Sequence, residues 1–194
     1  MVGLGNPGRE YAATRHNVGY MVLDRLAARF GEPRRRARFN AQLAEVQARL
    51  EGVSAPLRLA LIWPQTYMNE SGRAVSPARG AYRLALSRLL VIHDEIDLPF
   101  GSVRVRCGGG LAGHNGLKSL ARELGGSDFW RVRVGVGRPR SSDPEIVAAY
   151  VLSGFRESAE QVQELLAHAE RAVLELLAAE QAAAAGGGSG RTRR

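Results

Sequence analysis

Apolar positions along this chain change period several times, and each change marks an element. After Asn17, the residues Val18, Val22, Leu26 and Phe30 recur at helical spacing up to Gly31. A helix is predicted there, with Asn17 as its cap. Residues 57–63 form a near-continuous apolar run closed by Pro64, which predicts a buried strand. Leu89-Leu90-Val91-Ile92 is a second such run, closed by His93-Asp94-Glu95. Over 102–107 the period falls to two, with Val103 and Val105 against Arg104 and Arg106. Over 131–136, Val132, Val134 and Val136 alternate with Arg131 and Arg133. Both stretches predict strands with one core face and one basic face. Leu117, Leu120, Ala121 and Leu124 restore the helical period from about Asn115 to Gly125-Gly126. Val162, Leu165, Leu166, Val173, Leu176 and Leu177 predict a last helix over 156–185.

Other stretches are less regular. Val2 and Leu4 end a first strand much shorter than the usual ~5–6 residues, which implies a truncated strand or a lead-in upstream of Met1. Arg34 to Arg38 reads as a solvated basic loop. Phe39, Leu43, Val46 and Leu50 fit a helical period, and alternation fails at Glu45, so the local pattern over 39–50 predicts a helix. Thr66 to Tyr82 reads as a turn leading into a helix, and 186–194 as a disordered Gly/Ser/Arg tail. Strands alternating with helices give an α/β fold, one domain over 1–185.

Composition narrows the function classes. Apolar content of 45 % is ordinary for a folded soluble protein, and no apolar run is long enough to cross a bilayer. No signal peptide is visible, and a lone Cys107, read as a packed thiol, excludes an internal disulfide and Cys-rich zinc sites. A cytoplasmic location is the simple expectation. A net charge of +8 points to polyanionic partners, nucleic acid first, although Lys118 is the sole lysine and part of the excess lies in the tail.

The candidate chemistry centres on histidine. His16, His93 and His114 each stand where a turn or strand end meets a helix, beside Asn or Asp, whereas His168 lies off the apolar stripe of the last helix as an exposed residue. No Gly-x-Ser-x-Gly elbow exists, so water is the best nucleophile and a histidine its base. Such a base needs a carboxylate to fix its tautomer, and Asp94 is the best candidate. Asn6, Asn69 and Asn115 are each read first as caps or turn residues; together they could polarise a carbonyl. Arg104, Arg106, Arg131 and Arg133, with Lys118 near, form one phosphate-binding patch if their strands are neighbours.

Taken together, Gly3-Leu4-Gly5-Asn6-Pro7-Gly8, Tyr11, Thr14-Arg15-His16-Asn17, Thr66-Tyr67-Met68-Asn69, His93-Asp94-Glu95 and Gly113-His114-Asn115-Gly116 closely resemble bacterial-type peptidyl-tRNA hydrolase. The likeness covers about residues 2–180, with motifs in unchanged order. It implies a monomeric single-domain α/β fold, a twisted mixed sheet surrounded by helices. It implies hydrolysis of the ester between a peptide and the 3′ end of tRNA, recycling tRNA from stalled ribosomes, with no metal or cofactor. By the resemblance His16 is the catalytic base and Asp94 its orienting carboxylate. Asn6, Tyr11, Met68, Asn69, His114 and Asn115 contact the substrate, and Arg104, Arg106 and Arg133 the tRNA phosphate. Trp63 and Leu111 depart from the family's usual residues, away from the chemistry. The resemblance also implies a strand over 39–50, and we prefer it to the local helical reading because tertiary pairing overrides propensity.

Two rival functions follow from the same residues. One is an RNA-binding splicing cofactor without turnover, against which the intact His16, Asp94 and asparagines argue. The other is a metal-dependent hydrolase using His16, His93, Asp94 and His114, whose spacing matches no standard ligand motif.

Overall fold

The apolar run before His93 becomes β5 (Leu90–Glu95), all six residues of which are buried. A strand with both faces covered lies inside a sheet between helical layers. The computed structural model describes residues 1–53 and 55–186. Among these, seven strands form one sheet: β1 (Val2–Gly3), β2 (Arg36–Arg38), β3 (Ala41–Ala48), β4 (Leu57–Pro64), β5, β6 (Val103–Cys107) and β7 (Trp130–Gly135). Their order is β2-β3-β4-β1-β5-β7-β6. The inner strands β4, β1, β5 and β7 are parallel, while β3 and β6 run against them. The described residues also form five α-helices: α1 (Val18–Arg29), α2 (Ser71–Tyr82), α3 (Asn115–Leu124), α4 (Pro144–Val151) and α5 (Ala159–Gly186).

Two apolar clusters lie on the two faces of the sheet. Val18, Val22 and Leu26 of α1 meet Leu165, Leu166 and Val173 of α5 over Ile92 and Val132. Ala74 and Val75 of α2 meet Leu117 and Leu120 of α3 over Val2 and Val91. The two-residue β1 is secured by this burial and by pairing with Ile62 on one side and Val91 on the other. Close backbone approach sets α1 on the sheet. A Cβ on Gly19 would lie 2.4 Å from Ile92 O, and one on Gly3 would lie 2.4 Å from Gly19 O. Both positions therefore need glycine.

The chain reaches β4 on one side of β1 and returns to β5 on the other. A crevice opens at such a switch point, outside the carboxyl ends of the parallel strands. The loops after β1, β4 and β5 all end there.

Several local expectations are corrected. Residues 41–48 are a strand, in antiparallel register with β4 from Ala41↔Pro64 to Ala48↔Leu57. Alternation failed as a signal because Ala41 and Leu43 enter one apolar cluster and Ala44 and Val46 the other, so the strand's first half is covered on both faces. Arg36–Arg38 is a short exposed edge strand rather than a loop. Val105 is exposed and Cys107 is an exposed thiol: β6 is an edge strand in which Val103 alone is buried. Arg131 is buried, not part of a solvated face: it donates to Gly110 O at 2.8 Å and to Gly108 O. The last helix stands where it was expected, as α5 from Ala159, whereas the short α4 ahead of it was unforeseen. The tail expected over 186–194 lies, from 187 on, outside the described residues. No helix among the described residues is long and apolar enough to cross a membrane.

Candidate active site

His16 stands in a single 3-10 turn, Arg15–Asn17, that runs straight into α1. Asp94 is the fifth residue of β5, and His114 precedes α3. These three elements meet at the switch-point crevice. His16 Nδ1 and His114 Nε2 each lie 2.9 Å from the same oxygen, Asp94 Oδ1. The two imidazole rings are 5.0 Å apart, centroid to centroid.

Hydrogen bonding assigns the tautomers. His114 Nδ1 accepts from the backbone N–H of Gly116 at 3.1 Å and of Leu117 at 3.4 Å, so His114 caps α3 with its ring. Its proton is therefore on Nε2, and that group donates to Asp94. Asp94 accepts from His16 Nδ1–H as well, which leaves His16 Nε2 with a free lone pair on a ring that lines the cleft. Burial opposes ionisation of Asp94, yet His16 and His114 outweigh it and hold the carboxyl well below its usual range. Burial alone would pull the His16 imidazole down; the charge of Asp94 and its hydrogen bond reverse this and raise it.

His93 is wholly buried behind this pair. Its Nδ1–H donates to Asp94 O at 2.7 Å, and its ring stands edge-on to His114 at 5.0 Å. Burial, then repulsion from His114, push its pKa down to about 3, so it is a neutral packing element.

The asparagines divide into two kinds. The side chain of Asn17 caps no helix, contrary to expectation; it clasps the backbone of Asn6, accepting from its N–H and donating to its C=O, both at 2.9 Å. Asn6 is buried, and its Oδ1 accepts the Met68 N–H at 2.7 Å. With that oxygen occupied, the Nδ2 donor has no partner among the described residues. Asn69 and Asn115 are exposed on the cleft walls, and none of Asn6, Asn69 and Asn115 is a helix cap. Tyr11, Met68 and His114 line the same cleft, whose volume is about 800 Å³.

The basic strands are neighbours, with Arg104 opposite Arg133 and Arg106 opposite Arg131. Arg104 and Arg106 are exposed, whereas Arg133 is half-buried and donates to Glu95 at 3.0 Å. Lys118 and Arg138 extend positive charge along the cleft. Arg131 has another effect: by holding the carbonyls of Gly108 and Gly110 it pins the loop that leads to His114. Neither this nor the Asn17 clasp was legible locally, since an alternating strand and a helix start explained both residues.

Among the described residues, His16, Asp94 and His114 are also the group that could hold a cation, with ligand atoms within 4.8 Å of one another. His93, the fourth residue of that expectation, is not in this group; its Nδ1 is committed to a backbone carbonyl.

The profile of the peptidyl-tRNA hydrolase family matches residues 1–189. The peptidyl-tRNA hydrolase of Sorangium cellulosum is 49 % identical over 180 residues, covering 92 % of this chain and 78 % of the relative. That of Geobacter sulfurreducens is 51 % identical over 157 residues, 81 % of this chain and 77 % of the relative. The crystal structure of peptidyl-tRNA hydrolase from Acinetobacter baumannii superposes with a TM-score of 0.78 at 35 % identity, covering 95 % of this chain and 90 % of that one.

Proposed function

This chain belongs to the peptidyl-tRNA hydrolase family and hydrolyses peptidyl-tRNA, and we propose that it does so with His16 as general base on water. The observation that carries this reading is the 2.9 Å contact from His16 Nδ1 to a buried, ionised Asp94. That contact fixes the tautomer in which Nε2 accepts a proton. The water oxygen bonds to the ester carbonyl carbon as its proton passes to His16 Nε2. The tetrahedral oxyanion is stabilised by amide donors, with Asn6 Nδ2 aided by Asn69 and Asn115. As the C–O bond breaks, the His16 imidazolium returns its proton to the 3′ oxygen of the tRNA. Asp94 stabilises the imidazolium through both steps.

Tyr11, Met68 and His114 shape the cleft around the acyl group, while Arg104, Arg106 and Arg133 hold the acceptor-stem phosphates. The reaction needs no metal, the working form is a monomer, and its place is the cytoplasm, where it recycles tRNA from peptidyl-tRNA shed by stalled ribosomes. Exhaustive chelation leaves turnover intact on this reading. The deciding experiment is His16→Asn, assayed on an N-blocked aminoacyl-tRNA. Turnover is expected to fall on the order of 10²–10⁴-fold with substrate binding retained. Near-normal turnover would refute the assignment.

A further inference from the structure

Arg15 is only 1 % exposed, an uncommon place for a guanidinium. Its Nη1 donates to Ser153 Oγ at 2.8 Å and to Gly154 O at 2.6 Å, with Tyr150 O and Ser153 O at 3.4 Å. The guanidinium lies 4.2 Å from the ring centre of Tyr150, and Glu157 is 3.6 Å from Nη2. The backbone adds a bond from Arg15 N–H to Ser153 O at 3.1 Å. Every one of these partners belongs to the end of α4 or the segment just after it. A fixed cation on the last carbonyls of a helix also suits the helix dipole.

The rest of α4 is loosely held. Of its eight residues only Val151 is buried. Ile146 is 48 % exposed and Leu152, just past the helix, 43 %. Val147, Ala148, Val151 and Leu152 nevertheless line the cleft that His16 and Met68 share. An apolar wall left open to water is a surface that an apolar ligand group would cover. The tRNA end of the substrate is polar and anionic, so the acyl side chain is the group that fits.

We infer that Arg15 is a positioning residue that clamps α4 as the wall of a subsite for apolar acyl side chains. The inference rests on reading this cleft as the catalytic one. Lysine replaces it poorly: the hydrogen bonds all leave one nitrogen, Nη1, and an ammonium at that place lacks the flat face that lies on Tyr150.

The test compares N-acetyl-leucyl-tRNA with N-acetyl-glycyl-tRNA as substrates of Arg15→Lys and of the milder Ser153→Ala. In Arg15→Lys the kcat/KM ratio, leucyl over glycyl, is expected to fall about tenfold, the scale of a lost apolar pocket contact. The fall is carried by KM, and Ser153→Ala shifts the ratio in the same direction by less. An equal loss on both substrates, or a fall in kcat alone, would overturn the inference. If Arg15→Lys does not fold, Ser153→Ala decides: a leucyl-selective rise in KM supports the clamp, and an unchanged ratio refutes it. His16→Asn tests the base separately, since that variant loses kcat on both substrates alike.

Discussion

Two walls of one cleft are built in opposite ways. On one side, His16, Asp94 and His114 hang from α1, β5 and α3, all seated in the apolar clusters, and every ring nitrogen of the two histidines but His16 Nε2 has a partner among the described residues. On the other side, α4 buries one residue and is fastened at its C-terminal end through Arg15. On the proposed mechanism the first wall must hold a proton acceptor in one geometry, and it is set where the core is stiffest. As the proposed acyl subsite, the second must admit side chains of differing size, and a helix held at one end can give way. Rigidity is spent on chemistry and compliance on substrate.

That contrast can be broken at several points. The largest effect is the loss of turnover in His16→Asn. Next comes acid stability. His93 is held neutral with a pKa of about 3, against an ordinary value of 6.5, and its Nε2 has no partner among the described residues. The unfolded chain therefore binds the proton first as pH falls below 6.5. The stability His93 contributes is complete above that pH and is lost toward pH 3, at up to ~1.4 kcal/mol per pH unit. His93→Gln is expected to flatten this limb in urea melts between pH 6.5 and 4; an unchanged slope would show that His93 is not the group responsible.

A matched pair of helix caps gives the smaller effects. His114 caps α3, and Asp143 caps α4 with its Oδ1 2.8 Å from Glu145 N. Removing a cap costs about 1 kcal/mol. His114→Ala also removes the bond to buried Asp94, so it should lower Tm by more than the about 2–4 °C that a cap alone is worth where the helix melts with the core. Asp143→Ala should leave Tm nearly unchanged and instead speed amide exchange within α4. Equal Tm losses in the two variants would mean that α4 is as firmly integrated as α3.

Most of this fold was legible in the chain. The runs before Pro64 and His93 gave β4 and β5, and the spacing of Leu117, Leu120 and Leu124 gave α3. The misses share a physical cause: burial set by partners far away in sequence. Leu43 and Val46 face opposite layers, so their strand lost its period. Arg131 alternates like a surface residue but is buried beneath the glycine loop that it holds. The convergence of residues 6, 16, 69, 94, 114 and 115 on one cleft could be expected from their motifs. What motifs could not supply is the wiring: His114 turned by its capping bonds so that it shares Asp94 Oδ1 with His16, and Asn17 spent on the backbone of Asn6.

The central claim is that Asp94 sets the basicity of His16. It is tested most directly by the pH dependence of single-turnover hydrolysis in the parent enzyme and in Asp94→Asn. A base must be unprotonated to act, and Asp94 raises His16 above 6.5. The parent's acid limb should therefore lie above pH 6.5, with the rate rising through it. In Asp94→Asn the maximal rate should fall, and the limb should move below 6.5, because burial then acts on the imidazole unopposed. A limb that stays in place when Asp94 is neutralised would contradict the account.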